Sequence, residues 1–104
     1  MQSVQKVNLR TLLQMKQRSE KIVWVVLYDW PAAVLADQAG VDMILVGDSV
    51  AMTMLGLPNT LPITMDVMLH HVAAVNRGVK RAFVVCDMPF MSYQVNIIEA
   101  VRNA

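Results

Sequence analysis

The sequence predicts an α/β fold of parallel βα units, preceded by an N-terminal helix. Three short apolar runs, Ile22–Leu27, Met43–Val46 and Ala82–Cys86, recur along the chain and are rich in branched residues. Runs that are apolar on both faces are typical of strands buried in a parallel sheet. Segments with the helical spacing of apolar residues separate these runs. Strands that alternate with helices are joined by right-handed crossovers, which predicts a parallel sheet.

The first predicted elements are a helix, a strand and a second helix. Helical spacing of apolar residues over Asn8–Ser19 predicts the first helix, and Asn8 can cap it. The strand Ile22–Leu27 follows. Asp29 then provides a capping carboxylate, and Pro31 stands where a helix needs no N–H donor. The second helix is expected to end at Gly40, since glycine readily adopts the conformation that closes a helix.

The remaining elements follow the strand Met43–Val46. Gly47–Pro62 is expected to be a long irregular loop, and such loops are often functional. Thr64 can cap a third helix that ends at Gly78. This helix is expected to present one apolar side, formed by Met65, Met68, Leu69, Val72 and Val75. After the third strand and the loop Asp87–Tyr93, Asn96 and Glu99 have capping-box spacing and open a last helix.

These elements predict a single domain over residues 1–104 that is an incomplete barrel. A complete (βα)8, or TIM, barrel needs about 250 residues, so the sequence supplies roughly its first three units. A three-stranded parallel sheet of this kind also leaves two unpaired edges. We therefore expect a partial TIM barrel whose apolar surface is covered by its own helices, by further barrel sequence or by a partner subunit.

The composition excludes several classes of function. Charged residues make up 16% of the chain, and the net charge of +1 is too small and too scattered for a nucleic-acid-binding surface. Apolar residues reach 56%, but the longest apolar run is far below the roughly 20 residues that span a membrane. The single cysteine, Cys86, has no partner for an internal disulfide, which fits a reducing compartment. The sequence therefore predicts a cytoplasmic protein that binds neither nucleic acid nor membrane.

Two aspartates directly follow predicted strands. Asp48 follows Met43–Val46 after one glycine, and Asp87 follows Ala82–Cys86. If the two strands are neighbours, about 4.8 Å apart, the carboxylates converge at the edge where parallel folds bind ligands. Carboxylates this close repel unless a cation or a proton lies between them. Oxygen ligands without paired His or Cys point to Mg²⁺ rather than zinc. The alternative is that both aspartates only cap turns.

Other polar residues offer weaker evidence of chemistry. Ser49 can donate a hydrogen bond to a substrate carboxylate, although serine is also common in turns. His70 and His71 point about 100° apart on a helix and are expected to pack or face solvent. Cys86 is expected to be an inert buried side chain, and Asp29 to be a helix cap rather than a site residue.

Two long segments resemble the ketopantoate hydroxymethyltransferase family. They are Val46–Gly78 and Val84–Tyr93, and the stretch Lys21–Trp30 is similar to the family's first strand. The matching blocks occur in the same order and cover nearly all of the chain beyond residue 20: Gly47-Asp48-Ser49, Gly56, Thr60, Thr64, Met68, His71, Ala74-Val75, Arg77-Gly78 and Asp87-Met88-Pro89-Phe90.

The resemblance implies a Mg²⁺-dependent (βα)8 barrel. Its reaction transfers a hydroxymethyl group from the co-substrate 5,10-methylenetetrahydrofolate to 3-methyl-2-oxobutanoate and yields ketopantoate, in pantothenate biosynthesis. Asp48 and Asp87 fall on the family's metal-binding positions, and Asp48, Ser49 and Asp87 on positions that contact the 2-oxo acid. No catalytic base is assigned in this sequence, because the family's base, a supporting glutamate and a substrate-binding lysine are expected beyond residue 104. Ala51 stands where the family has glycine.

Three hypotheses follow. The first is a truncated or split member of this family, with little activity alone. The second is another Mg²⁺-dependent barrel enzyme acting on 2-oxo acids, of the phosphoenolpyruvate mutase or isocitrate lyase type. The third is a non-catalytic fragment that docks onto a complementary subunit. The family's complete enzymes form large homo-oligomers, which leaves both a homo-oligomer and a complementary subunit open.

Overall fold

The computed structural model describes residues 4–104. It contains eight helices and strands in this order: α1 (Leu9–Gln17), β1 (Trp24–Val26), α2 (Trp30–Gln38), β2 (Met43–Val46), α3 (Val50–Thr53), α4 (Met65–Gly78), β3 (Phe83–Cys86) and α5 (Ile97–Asn103).

The three strands form one open parallel sheet in the order β1-β2-β3. In register, Val25 lies beside Ile44, and Ile44 lies beside Val84. Each strand thus pairs with the next one along the chain, as successive βα units require. The predicted α/β fold of parallel βα units behind an N-terminal helix is confirmed.

Local capping decides where the helices begin. The side chains of Asn8, Asp29, Thr64 and Asn96 each accept a hydrogen bond from a main-chain N–H in the first helical turn. All four caps are those that the sequence predicts. Glu99, expected to complete a capping box at α5, pairs with Arg102 at 3.3 Å.

The hydrophobic core lies on one face of the sheet, under α2 and α4. Its largest fully buried side chains are Ile44, Met68, Val46, Val50 and Val75. The opposite face is less covered: Trp24 is 52% exposed and Val26 is 50% exposed. The expectation that the first strand is buried on both faces is therefore wrong for the part of the chain described, since helices cover only one face of the sheet.

Two further expectations are corrected. The segment Gly47–Pro62 is not wholly irregular, because it contains α3, whose Val50 and Ala51 are fully buried. On α4, Leu69 is 54% exposed rather than part of the buried side. Its neighbour Met68, predicted on the same side of α4, is buried in the core. No helix within residues 4–104 has the length and apolar character to cross a membrane.

Polar contacts tie together the amino ends of the strands. The Arg81 guanidinium donates to the main-chain oxygens of Gly40 and Val41 and pairs with Asp42 at 3.1 Å. The other carboxylate oxygen of Asp42 accepts from the main-chain N–H of Val23. This network ties together the amino ends of the three strands. It thereby helps to fix the arrangement of their carboxyl ends.

Candidate functional site

The carboxyl ends of β2 and β3 form the floor of the candidate site. Val46 and Cys86 are partners in the sheet register, and the main-chain N–H of Asp87 donates to the oxygen of Val46 at 3.0 Å. Above these strand ends lies a cavity of about 380 Å³, lined by Asp48, Cys86, Asp87, Met88 and Tyr93. The two aspartates that follow neighbouring strands therefore border the same open space.

Asp48 and Asp87 are in direct contact. The main-chain N–H of Asp48 donates to Oδ2 of Asp87 at 3.0 Å. Burial raises the pKa of Asp48, and the negative charge of the adjacent Asp87 raises it further. A raised pKa means that a second negative charge is unfavourable here, so a shared proton or a cation would stabilise the pair.

The donor set suits a hard cation with few protein ligands. Among residues 4–104, no three or more His, Cys, Asp or Glu side chains cluster so as to hold an ion. Two carboxylates at a solvent-open cavity are nevertheless sufficient for Mg²⁺, which usually takes one or two carboxylates and fills its other positions with water or substrate oxygens. The arrangement fits Mg²⁺ and lacks the closed nitrogen and sulfur shell of a structural zinc site.

Ser49 lies beside the aspartates but does not cap its own helix. It occupies the N-cap position of α3 without a capping hydrogen bond from its side chain. Its Oγ lies 2.8 Å from the hydroxyl of Tyr28, which follows β1. The carbonyl oxygen of Tyr28 in turn lies 2.9 Å from Nδ1 of His71 on α4. A hydrogen-bonded chain thus runs from α4 through Tyr28 to the site.

Sequence reasoning missed Tyr28 and underrated His71. Tyr28 directly follows a predicted strand, as do the aspartates, and this position was an available signal. His71 was expected to pack or face solvent; it is half-buried, and its ring reaches the main chain just after β1. Its neighbour His70 is exposed and packs edge-on against the His71 ring.

Glycine at position 47 leaves room for the site side chains. A Cβ added there would lie 3.0 Å from Ser49 Oγ and 3.6 Å from Asp87 Oδ2. Ala51, by contrast, is fully buried in the core. The methyl group of Ala51 therefore packs beneath the site and does not line the cavity.

The remaining candidates have structural explanations. Asp29 caps α2 by accepting from the main-chain N–H of Ala32 at 2.9 Å. Burial raises the pKa of the Cys86 thiol, and the nearby charge of Asp87 raises it further, which disfavours a reactive thiolate. A larger depression of about 580 Å³ lies beside α1 but is predominantly apolar. The paired carboxylates make the smaller cavity the better candidate.

Fold and site together define a parallel α/β protein with two neighbouring carboxylates at the carboxyl ends of its strands. The sequence model of the ketopantoate hydroxymethyltransferase family matches residues 6–104. This chain belongs to that family.

Curated relatives support the assignment and set its extent. The chain is 56% identical over 101 residues to a 3-methyl-2-oxobutanoate hydroxymethyltransferase of Staphylothermus marinus, covering 97% of this chain and 37% of the relative. A protein of the same name from Koribacter versatilis is 56% identical and covers 95% of this chain and 34% of its own length. Another from Bacillus licheniformis is 58% identical and covers 88% of this chain and 33% of its own length. The chain therefore spans about a third of the length of the relatives it matches.

Proposed function

We propose that this chain provides the metal- and 2-oxo-acid-binding part of a ketopantoate hydroxymethyltransferase. The reaction would add the one-carbon unit of 5,10-methylenetetrahydrofolate to C3 of 3-methyl-2-oxobutanoate, with water supplying the hydroxyl oxygen, and give ketopantoate and tetrahydrofolate. The observation that carries this proposal is the contact between Asp48 and Asp87 at one cavity. The names of the relatives include the proposed acceptor substrate, 3-methyl-2-oxobutanoate.

Each site residue has a chemical task in this proposal. Asp48 and Asp87 would hold Mg²⁺, and Ser49 would donate a hydrogen bond to the carboxylate of the 2-oxo acid. When bound there, Mg²⁺ would withdraw charge from the keto and carboxylate oxygens and so ease the loss of the C3 proton. C3, after giving its proton to a base, would then bond to the one-carbon unit, whose two bonds to the folate nitrogens are replaced by bonds to C3 and to a hydroxyl group from water.

The proton from C3 needs an acceptor that we do not assign to this chain. The titratable side chains lining the cavity are those of Asp48, Asp87, Cys86 and Tyr93. The two aspartates are committed to the metal, and the raised pKa of Cys86 disfavours its basic form. We propose that other polypeptide supplies the base. Because a general base contributes about 10²–10⁴ in rate, the isolated chain should turn over slowly.

Binding to the isolated chain tests the site, since it does not require the base. Titration with Mg²⁺ and then with 3-methyl-2-oxobutanoate should show saturable binding that depends on both aspartates. Asp48→Asn and Asp87→Asn should each remove the metal response, whereas Asp66→Asn, on the exposed start of α4, should retain it. Wild-type binding that is unchanged in both site variants would refute the proposed site. A panel of other 2-oxo acids would measure its selectivity.

An activity assay tests the missing base separately. The chain would be incubated with 3-methyl-2-oxobutanoate, 5,10-methylenetetrahydrofolate and Mg²⁺, and ketopantoate would be measured. Slow or undetectable turnover is the expected result. Robust turnover would show that residues of this chain suffice for proton transfer and would overturn that part of the proposal.

A second candidate function is docking onto a complementary polypeptide. The observation that favours it is the uncovered sheet face, where Trp24 and Val26 on β1 are half exposed. Large apolar side chains clustered at a surface often mark an interface. Size-exclusion chromatography of the chain, alone and with a polypeptide that carries the remaining barrel units, tests this candidate. A stable monomer that does not bind this polypeptide would exclude docking as the function.

A further inference from the structure

The hydrogen-bonded chain from α4 to Ser49 has no part in the metal site. We propose that Tyr28 and His71 are positioning residues for the Ser49 hydroxyl, which they orient so that it donates to the carboxylate of the bound 2-oxo acid. This inference deepens the proposed function and rests on it for the identity of the ligand. The contacts themselves are properties of this chain.

The first step concerns Ser49. A serine at an N-cap usually accepts from the second or third N–H of its helix. Ser49 does not, and its Oγ instead lies 2.8 Å from the hydroxyl of Tyr28. The backbone of Ser49 is already helical, so its side chain does not cap α3 and contacts a residue 21 positions earlier. Tyr28 is therefore the side-chain partner of the Ser49 hydroxyl.

The second step is the direction of this hydrogen bond. Either hydroxyl can donate in this contact; because a phenolic hydroxyl is the better donor, we assign Tyr28 as the donor and Ser49 Oγ as the acceptor. Each hydroxyl carries one hydrogen, which leaves the hydrogen of Ser49 free for a ligand. A carboxylate only accepts hydrogen bonds. Tyr28 would therefore leave Ser49, the residue after Asp48, with a hydrogen to donate to the bound 2-oxo acid.

The third step is how Tyr28 is itself held. Its carbonyl oxygen can only accept, so Nδ1 of His71 must carry the hydrogen in their 2.9 Å contact. His71 is half-buried on α4, which is anchored by the buried Met68 and Val75. Tyr28 is thus held through its backbone by His71 and contacts Ser49 through its ring. Removing either contact should loosen the Ser49 hydroxyl without touching the aspartates.

The binding test separates positioning from metal binding. In Tyr28→Phe, affinity for 3-methyl-2-oxobutanoate at saturating Mg²⁺ should fall up to about tenfold, because the Ser49 hydroxyl that donates to the carboxylate is no longer held in one orientation. Affinity for Mg²⁺ should be unchanged within about twofold, since no hydrogen bond of Tyr28 involves either aspartate. If Tyr28→Phe binds the 2-oxo acid as the wild type does, the inference is overturned.

Variants of His71 give an independent test and a rescue. His71→Ala should weaken 2-oxo acid binding several-fold, because the Tyr28 backbone loses its donor. His71→Asn should recover most of the affinity, since its amide N–H can replace Nδ1–H. Asn76→Ala, at an exposed position of the same helix that does not contact the His71 ring, is the matched control and should bind as the wild type. Equal losses in His71→Asn and His71→Ala would argue against the donor assignment.

A ligand-free measurement distinguishes failure of this inference from failure of the proposed function. Side-chain couplings measured by NMR should show one Ser49 rotamer in the wild type and averaged rotamers in Tyr28→Phe or His71→Ala. A fixed Ser49 in both variants overturns the inference, whether or not a ligand binds. If the wild type does not bind the 2-oxo acid but Ser49 becomes mobile in both variants, the proposed function is overturned. In that case the role of Tyr28 and His71 in positioning Ser49 still holds. Thermal unfolding identifies variants that fold, and the conservative His71→Asn provides the comparison if Tyr28→Phe does not.

Discussion

The main-chain N–H of Asp48 donates a 3.0 Å hydrogen bond to Oδ2 of Asp87. The contact joins the loop after β2 to the residue that directly follows β3. It places a carboxylate at each strand end without an intervening positive side chain among those that line the cavity. Because two like charges held close together are unfavourable, binding of a proton or a cation would stabilise the pair.

Metal binding should therefore stabilise the folded chain. Magnesium at about 100 times its Kd would add about 2.7 kcal/mol to the free energy of unfolding. Asp48→Asn and Asp87→Asn should lose most of this gain, because each removes one of the two charged ligands. Thermal unfolding with Mg²⁺ and with a chelator measures the difference, and Asp66→Asn serves as the exposed control. An equal gain in all four proteins would point to binding elsewhere.

The proximity of Asp48 and Asp87 was predictable because it depends on local order and on one topological rule. Asp48 and Asp87 each follow an apolar strand within a residue or two, and strands joined by a helix are usually neighbours in a parallel sheet. The helix caps were predictable for a similar reason. Asn8 and Asp29 bond N–H groups only three residues away, so no distant contact decides them.

The rest of the site depends on contacts distant in sequence. The Tyr28 to Ser49 hydrogen bond joins two different strand-following loops, and His71 reaches Tyr28 across 43 positions. No spacing rule predicts such pairs.

The exposure of Trp24 could not be predicted for another reason. An apolar run shows that its residues favour burial, but it does not show which polypeptide covers them.

Gly47→Ala should impair the site more than the fold. The added Cβ would lie 3.0 Å from Ser49 Oγ, closer than ordinary contact, and 3.6 Å from Asp87 Oδ2. Ser49 can relieve the contact by rotating, which would break its hydrogen bond to Tyr28. We expect 2-oxo acid affinity to fall about tenfold or more, with at most about 1 kcal/mol lost from unfolding. Calorimetric titration and thermal unfolding of the same sample would compare the two effects.

Gly78→Ala should destabilise the protein although alanine favours helices. A Cβ on this last residue of α4 would lie 3.0 Å from the Trp30 carbonyl oxygen and 3.1 Å from Ala33 Cβ. The first of these atoms is backbone, so relief requires α2 and α4 to separate. Overpacking of this kind costs about 1–3 kcal/mol, which exceeds the roughly 1 kcal/mol gained from helix propensity.

Denaturant unfolding measures the cost of this close approach. Asn76→Ala places the same residue at an exposed position of the same helix and is the control. It should leave stability unchanged or slightly higher, because alanine is the better helix former. A Gly78→Ala variant as stable as this control would show that the helices yield more easily than their packing implies.

Asp37 links the end of α2 to the segment that leads into β3. Its carboxylate accepts from the main-chain N–H groups of Lys80, Arg81 and Ala82 at 2.9, 3.1 and 2.8 Å. Burial alone would raise the pKa of Asp37, but the three hydrogen bonds and the charge of Arg81 together lower it below the ordinary value of 3.8. The charged carboxylate is therefore the stabilising form.

Stability should depend on pH through this group. Because the folded protein lowers the pKa of Asp37, the unfolded chain binds the proton more tightly, and stability from this group is lost as pH falls through and below the ordinary value of 3.8. Asp37→Asn should cost about 1–2 kcal/mol at neutral pH, a figure limited by solvent screening at this half-buried site. The gap between wild type and variant should narrow in acid, where both side chains are neutral. Denaturant unfolding at a series of pH values measures this gap, and a gap that stays constant down to acid would mean that shape rather than charge makes the contact.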